Sequence, residues 1–327
     1  MTWISAAAPA PPARHPVPND LRVVTSDLRF PEGPIACTDG SVLLVEVRGE
    51  ALTRVLPDGQ LQRVAALPGG PNGAAVGPDG AVYVCNNGGL PWTQLPDQSW
   101  YPINAHTGSM RPAHYTHGWI ERVDLHTGAV DRLYESDGEI PLSAPNDLVF
   151  TTDGTLWFTD TGKTDSTTSV LGRVCRATHD GSSIVTAAWG LLGPNGIGLS
   201  PDGSLLYVAD TPSGRLWKWS LSEGQLDGLH PRRHEGMVLT TVPGATPLDS
   251  LAVDIEGRVV VALPGDSSLA VISPNGGLSI LEMPGPMTTN LCFGGHDRTT
   301  AFVTLGGFGQ LVAFQWPCPG AELSYSI

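Results

Sequence analysis

The stretch Pro145–Asp160 reads PNDLVFTTDGTLWFTD and predicts a β-hairpin. Asp153 and Gly154 stand between two runs of alternating apolar residues. An Asp-Gly pair in that setting is the strongest short-range signal for a hairpin. The two runs are therefore expected to form neighbouring antiparallel strands.

Similar acidic turns recur along the chain, each followed by alternating apolar residues, with the last two copies weaker than the others. The turn motifs begin at Thr38, Pro78, Thr152, Pro201, Ile255 and His296. A second hairpin candidate follows each copy, which gives about four strands per repeat. The sequence thus predicts an all-β fold, a six-bladed β-propeller with four-stranded antiparallel blades, in which Leu21–Thr25 completes the last blade.

The composition supports a fold with many turns. Of the 327 residues, 40 are Gly and 29 are Pro, whereas average usage of the two together is about 12%. Frequent turns leave little room for long helices, and all-β folds can exceed about 250 residues as one domain. The sequence predicts a single propeller domain over residues 19–327, preceded by a flexible Pro- and Ala-rich tail over residues 1–18.

Charge and cysteine content narrow the class of partners and the compartment. The 32 acidic and 18 basic residues give a formal net charge of −14, and a nucleic-acid partner would need clustered basic side chains. No apolar stretch approaches the ~20 residues that cross a bilayer, and the N-terminus lacks the basic region of a signal peptide. The five cysteines are an odd number without a CxxC pair. We expect a cytoplasmic protein with a small-molecule substrate and without nucleic-acid or membrane partners; the sequence leaves the oligomeric state open.

One polar position recurs seven residues before the turn acid of every repeat, and its side chain always carries a carbonyl or carboxylate oxygen. These ring residues are Glu32, Asn72, Asn146, Asn195, Asp249 and Asn290. Equivalent positions of a propeller surround its axis, so the six side chains should converge at one mouth of the central channel. Ca²⁺ takes about six to eight oxygens, whereas Zn²⁺ favours His or Cys. The register predicts a central site for a hard cation; the alternative is that each Asn-Gly pair is only a turn.

Taken together, the motifs resemble the gluconolactonase family, which includes regucalcin and luciferin-regenerating enzyme. They are PEGP, PND followed by DGTLWFTD, PNG followed by PDGSLLYVADT, and LDSLAVD. The resemblance covers roughly residues 21–316 and implies one catalytic divalent cation, with Ca²⁺ expected first and Mg²⁺, Mn²⁺ or Zn²⁺ as alternatives. It assigns the cation ligands to Glu32, Asn146, Asn195 and Asp249. Asn72 and Asn290 are then expected to contact the substrate or a water beside the cation.

A long insertion separates the second and third repeats. The ring residues are 74 positions apart there, against 40 to 54 elsewhere. The extra segment, about residues 86–119, is rich in Trp, Tyr and His, and insertions of this length are usually functional or mobile. It is interpreted as a lid over the metal face, with a surface loop packed on a neighbouring blade or subunit as the equal alternative. His114, His117 and Trp119 are its candidates for substrate contacts.

The chemistry predicted for this site is the hydrolysis of a cyclic ester. A bound cation polarises an ester carbonyl, and Asp249 is the candidate general base or nucleophile, with a purely structural ligand as its alternative role. Sugar-lactone members of the family often have a basic residue two positions before the PND asparagine, where this chain has Ala144. A lactone less polar than a free aldonolactone is therefore predicted. The alternatives are a phosphotriester hydrolase at the same site, and a propeller that binds or isomerises a ligand without hydrolysis.

Overall fold

A computed structural model describes residues 10–222, 225, 226, 236–244 and 246–327, which form strands, turns and loops. The strands build six radial sheets of four or more strands and one separate two-stranded hairpin. This is the six-bladed propeller predicted from the repeats. Within the described residues, no helix is long and apolar enough to cross a membrane.

The strands are numbered in chain order, and two of them precede the first blade. These are β1 (Ala13–His15) and β2 (Arg22–Thr25). Blade 1 consists of β3 (Pro31–Ala36), β4 (Val42–Glu46), β5 (Ala51–Val55) and β6 (Leu61–Ala66). Blade 2 begins with β7 (Pro71–Val76) and β8 (Val82–Asn86); after the hairpin β9 (Thr93–Gln94) and β10 (Trp100–Tyr101), it continues with β11 (Trp119–Val123) and β12 (Val130–Tyr134).

The other four blades follow in the same order. Blade 3 consists of β13 (Pro145–Phe150), β14 (Thr155–Asp160), β15 (Gly172–Thr178) and β16 (Ile184–Leu191). Blade 4 consists of β17 (Pro194–Leu199), β18 (Leu205–Asp210), β19 (Arg215–Ser222), β20 (Gln225–Leu226) and β21 (Met237–Thr241). Blade 5 contains β22 (Leu251–Val253), β23 (Val259–Leu263), β24 (Ser268–Ile272) and β25 (Leu278–Glu282), and blade 6 contains β26 (Thr288–Gly294), β27 (Thr300–Leu305) and β28 (Gln310–Gln315).

Blade 6 is completed by the N-terminal strand β2. This strand pairs antiparallel with β28, with Arg22 opposite Ala313 and Val23 opposite Val312. The prediction that Leu21–Thr25 closes the last blade is confirmed. The propeller is therefore held shut by backbone hydrogen bonds between the two ends of its chain.

Part of the segment predicted as a flexible tail is a strand. Residues 1–9 lie outside the described residues, but β1 pairs in parallel with the outer strand of blade 5, placing Ala13 opposite Ser279. The Arg14 guanidinium lies 3.0 Å from the Asp266 carboxylate on the same blade. The tail prediction is thus wrong for β1, because a free edge of blade 5 offers backbone partners that the Pro- and Ala-rich composition does not reveal.

The apolar residues of each blade pack against both neighbouring blades. In β23, Val259, Val261 and Leu263 contact blade 4, whereas the alternate residues Val260 and Ala262 contact blade 6. Successive side chains of a strand point to opposite faces, so a strand covered on both sides is apolar throughout. This pattern explains why the second strands of the blades carry continuous apolar runs.

The two faces of the propeller carry different segments of the chain. The face where the innermost strands begin, here called the ring face, carries the insertion between β8 and β11. The far face carries the Asp-Gly turns and the C-terminal segment, where Ser324 Oγ donates to Phe150 O at 2.7 Å and Thr38 N donates to Ile327 O at 2.7 Å. The C-terminal segment thus crosses the far face between blades 3 and 1.

Candidate functional site

The ring residues lie at equivalent places near the start of the innermost strands. The positions are the second residue of the strand for Glu32, Asn72, Asn146 and Asn195, two residues before β22 for Asp249, and the third residue of β26 for Asn290. The two PNG motifs therefore lie inside β7 and β17. The alternative interpretation of these motifs as turns is wrong.

A break in strand pairing accompanies the ring residues. The register between β13 and β14 shifts between Pro145 and Leu148, and that between β17 and β18 shifts between Pro194 and Ile197. β3 and β7 have the same irregularity. A bulge leaves residues outside the ladder and changes the direction of their side chains. Asn72, Asn146 and Asn195 are left without a cross-strand partner in this way, whereas Glu32 keeps Val45 as its partner.

Close approach of neighbouring innermost strands requires glycine after the ring residue. A Cβ atom on Gly33 would lie 2.7 Å from Ala74 N and 2.8 Å from Asn72 O, and the φ angle of this residue is 50°. A Cβ on Gly196 would lie 2.7 Å from Asp249 O. Because glycine alone fits these positions without strain, the Gly of PEG and PNG brings adjacent ring residues together.

Glu32 and Asn290 are joined across the junction between blades 1 and 6. Asn290 Nδ2 donates to Glu32 Oε2 at 2.9 Å, and Gly33 N donates to the same oxygen at 3.1 Å. Asn290 Oδ1 accepts a hydrogen bond from Leu291 N at 2.7 Å. Asn290 therefore orients Glu32, and its own amide oxygen is already used.

Two ring oxygens are buried without a hydrogen-bond partner: Asn146 Oδ1 and Asn195 Oδ1. A buried polar atom left unpaired costs about 1–3 kcal/mol. Burial and the charge of Asp249 raise the pKa of Glu32 well above its usual range, and burial raises the pKa of Asp249 to about 7. Oxygen donors that lack a partner, next to carboxyl groups that resist ionisation, fit a hard divalent cation such as Ca²⁺.

Amide oxygens are needed to complete such a site. In the described part of the chain, no three His, Cys, Asp or Glu side chains are arranged to hold a metal by themselves. A cation at this position would therefore be held by a mixed set of carboxylate and amide oxygens. That composition favours Ca²⁺ over ions that prefer nitrogen or sulfur.

Asp147 is a third buried acid that the sequence reasoning missed. It occupies the position after the ring residue, where blades 1, 2 and 4 have glycine, and only 7% of its surface is exposed. Its Oδ1 accepts a hydrogen bond from Leu148 N at 2.9 Å, and burial raises its pKa to about 7. The departure from glycine in PND was the available signal.

Threonine and aspartate side chains support the ring from the second strands. Thr161 Oγ1 donates to Pro194 O and Thr211 Oγ1 donates to Leu248 O, both at 2.6 Å, so each hydroxyl holds the start of the next innermost strand. Asp160 accepts from Ala144 N at 2.6 Å, and Asp210 accepts from Gly193 N at 2.7 Å. The repeated Asp-Thr pair at the ends of β14 and β18 was the sequence signal for this support.

The insertion spreads over the ring face beyond its own blade. Its residues Leu90, Trp92, Trp100 and Tyr101 pack against Phe30, Val47 and Met287. Trp100 N donates to Gly307 O at 2.9 Å, and Met110 N donates to Thr164 O at 3.0 Å. The insertion thus contacts blades 1, 3 and 6 as well as blade 2.

The three candidates from the insertion lie in different surroundings. His114 is exposed, and His117 Nε2 lies 3.4 Å from Glu135 Oε1. Trp119 is 8% exposed and donates its indole N–H to Glu121 Oε2 at 2.8 Å. No described hydrogen bond or ion pair links them to a ring residue, and their contact with a substrate stays a prediction.

A cavity of about 320 Å³ occupies the central channel behind the ring. Asp147 and Asn290 line it, together with apolar residues of the innermost strands such as Leu148 and Leu291, and Leu323 and Tyr325 of the C-terminal segment line it on the far face. The ring residues thus lie between this cavity and the insertion.

Comparisons with known proteins agree with this architecture. The family model described as the SMP-30/Gluconolactonase/LRE-like region matches residues 30–307. A gluconolactonase from Zymomonas mobilis is 26% identical over 315 residues, covering 86% of this chain and 78% of that protein. Among solved structures, a gluconolactonase from Xanthomonas campestris has a TM-score of 0.70 and 22% identity, covering 96% of this chain and 99% of that one. The calcium-binding protein regucalcin from Agrobacterium tumefaciens has a TM-score of 0.68 and 19% identity, covering 95% and 99%. The chain belongs to the SMP-30/Gluconolactonase/LRE-like family.

Proposed function

We propose that the protein is a divalent-metal-dependent lactonase, acting on a cyclic ester less polar than a free aldonolactone. The observation that carries the proposal is the pair of unpartnered oxygens on Asn146 and Asn195, within a ring that also contains two carboxyl groups. Membership of a family with gluconolactonases supports lactone hydrolysis. The calcium-binding regucalcin neighbour supports Ca²⁺ as the ion, with Mg²⁺, Mn²⁺ and Zn²⁺ as alternatives.

Glu32, Asn146, Asn195 and Asp249 would hold the cation. When bound, the cation would supply Lewis-acid polarisation of the ester carbonyl and favour the ionised form of the carboxyl groups around it. Asn290 keeps Glu32 in place through the 2.9 Å hydrogen bond to Oε2.

Asp249 is proposed as the general base that takes a proton from the attacking water. Glu32 is only 3% exposed, whereas part of the surface of Asp249 is exposed. Without a cation, burial raises the pKa of Asp249 to about 7, and its hydrogen bond with the Asn195 side chain opposes this shift. A bound cation would lower that pKa and keep Asp249 ionised at neutral pH, which is the form that accepts a proton.

The preference for a less polar lactone rests on the surroundings of the ring. Ala144 is buried and its N–H is bound by Asp160, so this position presents no charge to a substrate. The insertion contributes Trp92, Trp100 and Tyr101 to the same face. We propose that the insertion covers the ring face as a lid and provides an apolar wall for the small-molecule substrate.

The test is a lactone panel on chelator-stripped protein reloaded with Ca²⁺, Mg²⁺, Mn²⁺ or Zn²⁺, followed by pH-stat. Activity should disappear on stripping and return with one cation, and alkyl-substituted lactones should be hydrolysed faster than gluconolactone at equal concentration. Asp249→Asn should abolish hydrolysis, while Asp153→Asn, a turn acid on the far face, should retain it. Faster turnover of gluconolactone would contradict the substrate preference. Turnover of an aryl phosphotriester alone, or no hydrolysis with any cation, would contradict the lactonase.

A further inference from the structure

Two large apolar residues beside the ring have left-handed backbones. Phe30 has a φ angle of 61° and Met287 has one of 59°. Such angles are uncommon for any residue other than glycine and are outliers for bulky side chains. Phe30 stands two residues before Glu32 and Met287 three residues before Asn290. Strained backbone of this kind persists only where the surroundings fix it, and it occurs most often at functional sites.

Backbone hydrogen bonds hold both residues from one side. Val47 N donates to Phe30 O at 3.0 Å, and Gly306 N donates to Met287 O at 2.7 Å. A Cβ on Gly306 would lie 3.0 Å from the Phe30 ring, so the loop after β27 also packs closely on this side chain. The loops of blades 1 and 6 thus provide one wall of a pocket for the two residues.

The insertion provides the other wall. Phe30 and Met287 are 5% and 9% exposed, and the same apolar cluster contains Trp92, Trp100 and Tyr101 of the insertion. The Phe30 and Trp92 rings are tilted against each other with centroids 4.8 Å apart. Without the insertion, the two strained residues would face solvent on that side and could relax.

Relaxation at Phe30 would reach Glu32 directly. Only Pro31 separates the two residues, and because its ring fixes its φ angle, one rotatable backbone bond fewer is available to absorb a rotation between them. Pro31 O accepts a hydrogen bond from Thr289 Oγ1 at 3.2 Å, and Asn290 Nδ2 holds Glu32 Oε2 at 2.9 Å. A change at either left-handed residue therefore alters the direction of the Glu32 carboxylate.

We propose that the aromatic residues of the insertion are positioning residues for Glu32, so that packing of the insertion on Phe30 and binding of a divalent cation at the ring strengthen each other. The inference rests on the cation site of the proposed function, not on its substrate. Coupling between two binding events is reciprocal. The insertion must therefore raise cation affinity by the same factor by which the cation stabilises the packed insertion.

The test measures both directions of this coupling. Ca²⁺ titration by calorimetry of the chelator-stripped full chain should show about tenfold weaker binding for Trp92→Ala than for the wild type, which is about 1.4 kcal/mol. Trp189→Ala removes an exposed tryptophan on β16, outside the cluster, and should bind Ca²⁺ like the wild type. Thermal unfolding of the stripped variants shows whether each is folded.

Hydrogen exchange on the wild-type protein provides the second measurement and needs no variant. Saturating Ca²⁺ should slow amide exchange in β9 and β10 by about tenfold, the factor found by calorimetry. Unchanged Ca²⁺ affinity in folded Trp92→Ala, or unchanged exchange in β9 and β10, would overturn the coupling and leave the lactonase proposal standing. A wild-type protein that binds none of Ca²⁺, Mg²⁺, Mn²⁺ and Zn²⁺ would overturn both proposals.

Discussion

Lys163 allows the packing between the insertion and blade 3 to be tested by titration. It is one of two lysines in the chain, and only 6% of its surface is exposed. Its Nζ donates to Asn87 O at 3.0 Å and to Gly89 O at 2.7 Å, both at the start of the insertion. Both acceptors are neutral, and no carboxylate of the described residues lies within ion-pair distance of this ammonium.

The sign of the pH effect follows from the direction of the pKa shift. Burial lowers the pKa of Lys163 from its ordinary 10.5 to about 7. Between these values the unfolded chain binds a proton that the folded chain lacks, so the free energy of unfolding rises with pH. At about 1.4 kcal/mol per pH unit, a window of about 3.5 units corresponds to at most about 5 kcal/mol. Below pH 7 both states are protonated and this contribution stays constant.

The assay is urea unfolding of the wild type, Lys163→Met and Lys218→Met between about pH 6.5 and 9.5. The wild type should gain about 1 kcal/mol per pH unit relative to Lys163→Met above pH 7. Lys218→Met removes the chain's other lysine and should keep the wild-type slope. Parallel pH profiles for the wild type and Lys163→Met would show that Lys163 keeps its ordinary pKa, and would refute a buried ammonium held under the insertion.

Asn195→Leu keeps the size of the side chain but removes the unpaired Oδ1. Calorimetry should therefore show Ca²⁺ binding weakened by at least about tenfold. Equal weakening in Asn72→Leu would contradict the proposed ligand set. Arg173→Met leaves Asp160 buried without its guanidinium partner at 3.0 Å and should lower the free energy of unfolding in urea by about 3–5 kcal/mol. Thr161→Val removes the 2.6 Å hydrogen bond to Pro194 O and should lower it by about 1 kcal/mol; a neutral result would show that water replaces the hydroxyl.

Sequence periodicity predicted the blades and the ring because both depend on local patterns. An Asp-Gly turn fixes a hairpin within a few residues, and the seven-residue offset from Asp153 back to Asn146 places that asparagine on the innermost strand. The blades and the ring therefore need no knowledge of distant contacts. Closure by Arg22–Thr25 does join distant segments, but it was predictable from the repeat count, since the last blade lacked one strand.

Distant contacts that the repeat does not require were not predictable. The pairing of Ala13–His15 with blade 5 joins segments more than 260 residues apart. Phe30, whose backbone is left-handed, packs against Trp92 and the loop at Gly306, and neither contact is marked in the sequence around Phe30. Asp147 was missed because an acid next to an asparagine is ordinary in sequence; its one signal was the departure from the glycine of PEG and PNG, and its burial is visible only in the structure.

The junction where β2 meets β28 has a consequence for the order of events during synthesis. During synthesis β2 emerges from the ribosome before β28, so β2 has no partner in its blade until β28 has followed. Glu32 and Asn290, 258 residues apart, form their hydrogen bond across that same junction. The proposed cation site, to which Glu32 belongs, therefore cannot take its final form until Asn290 has left the ribosome and joined blade 6.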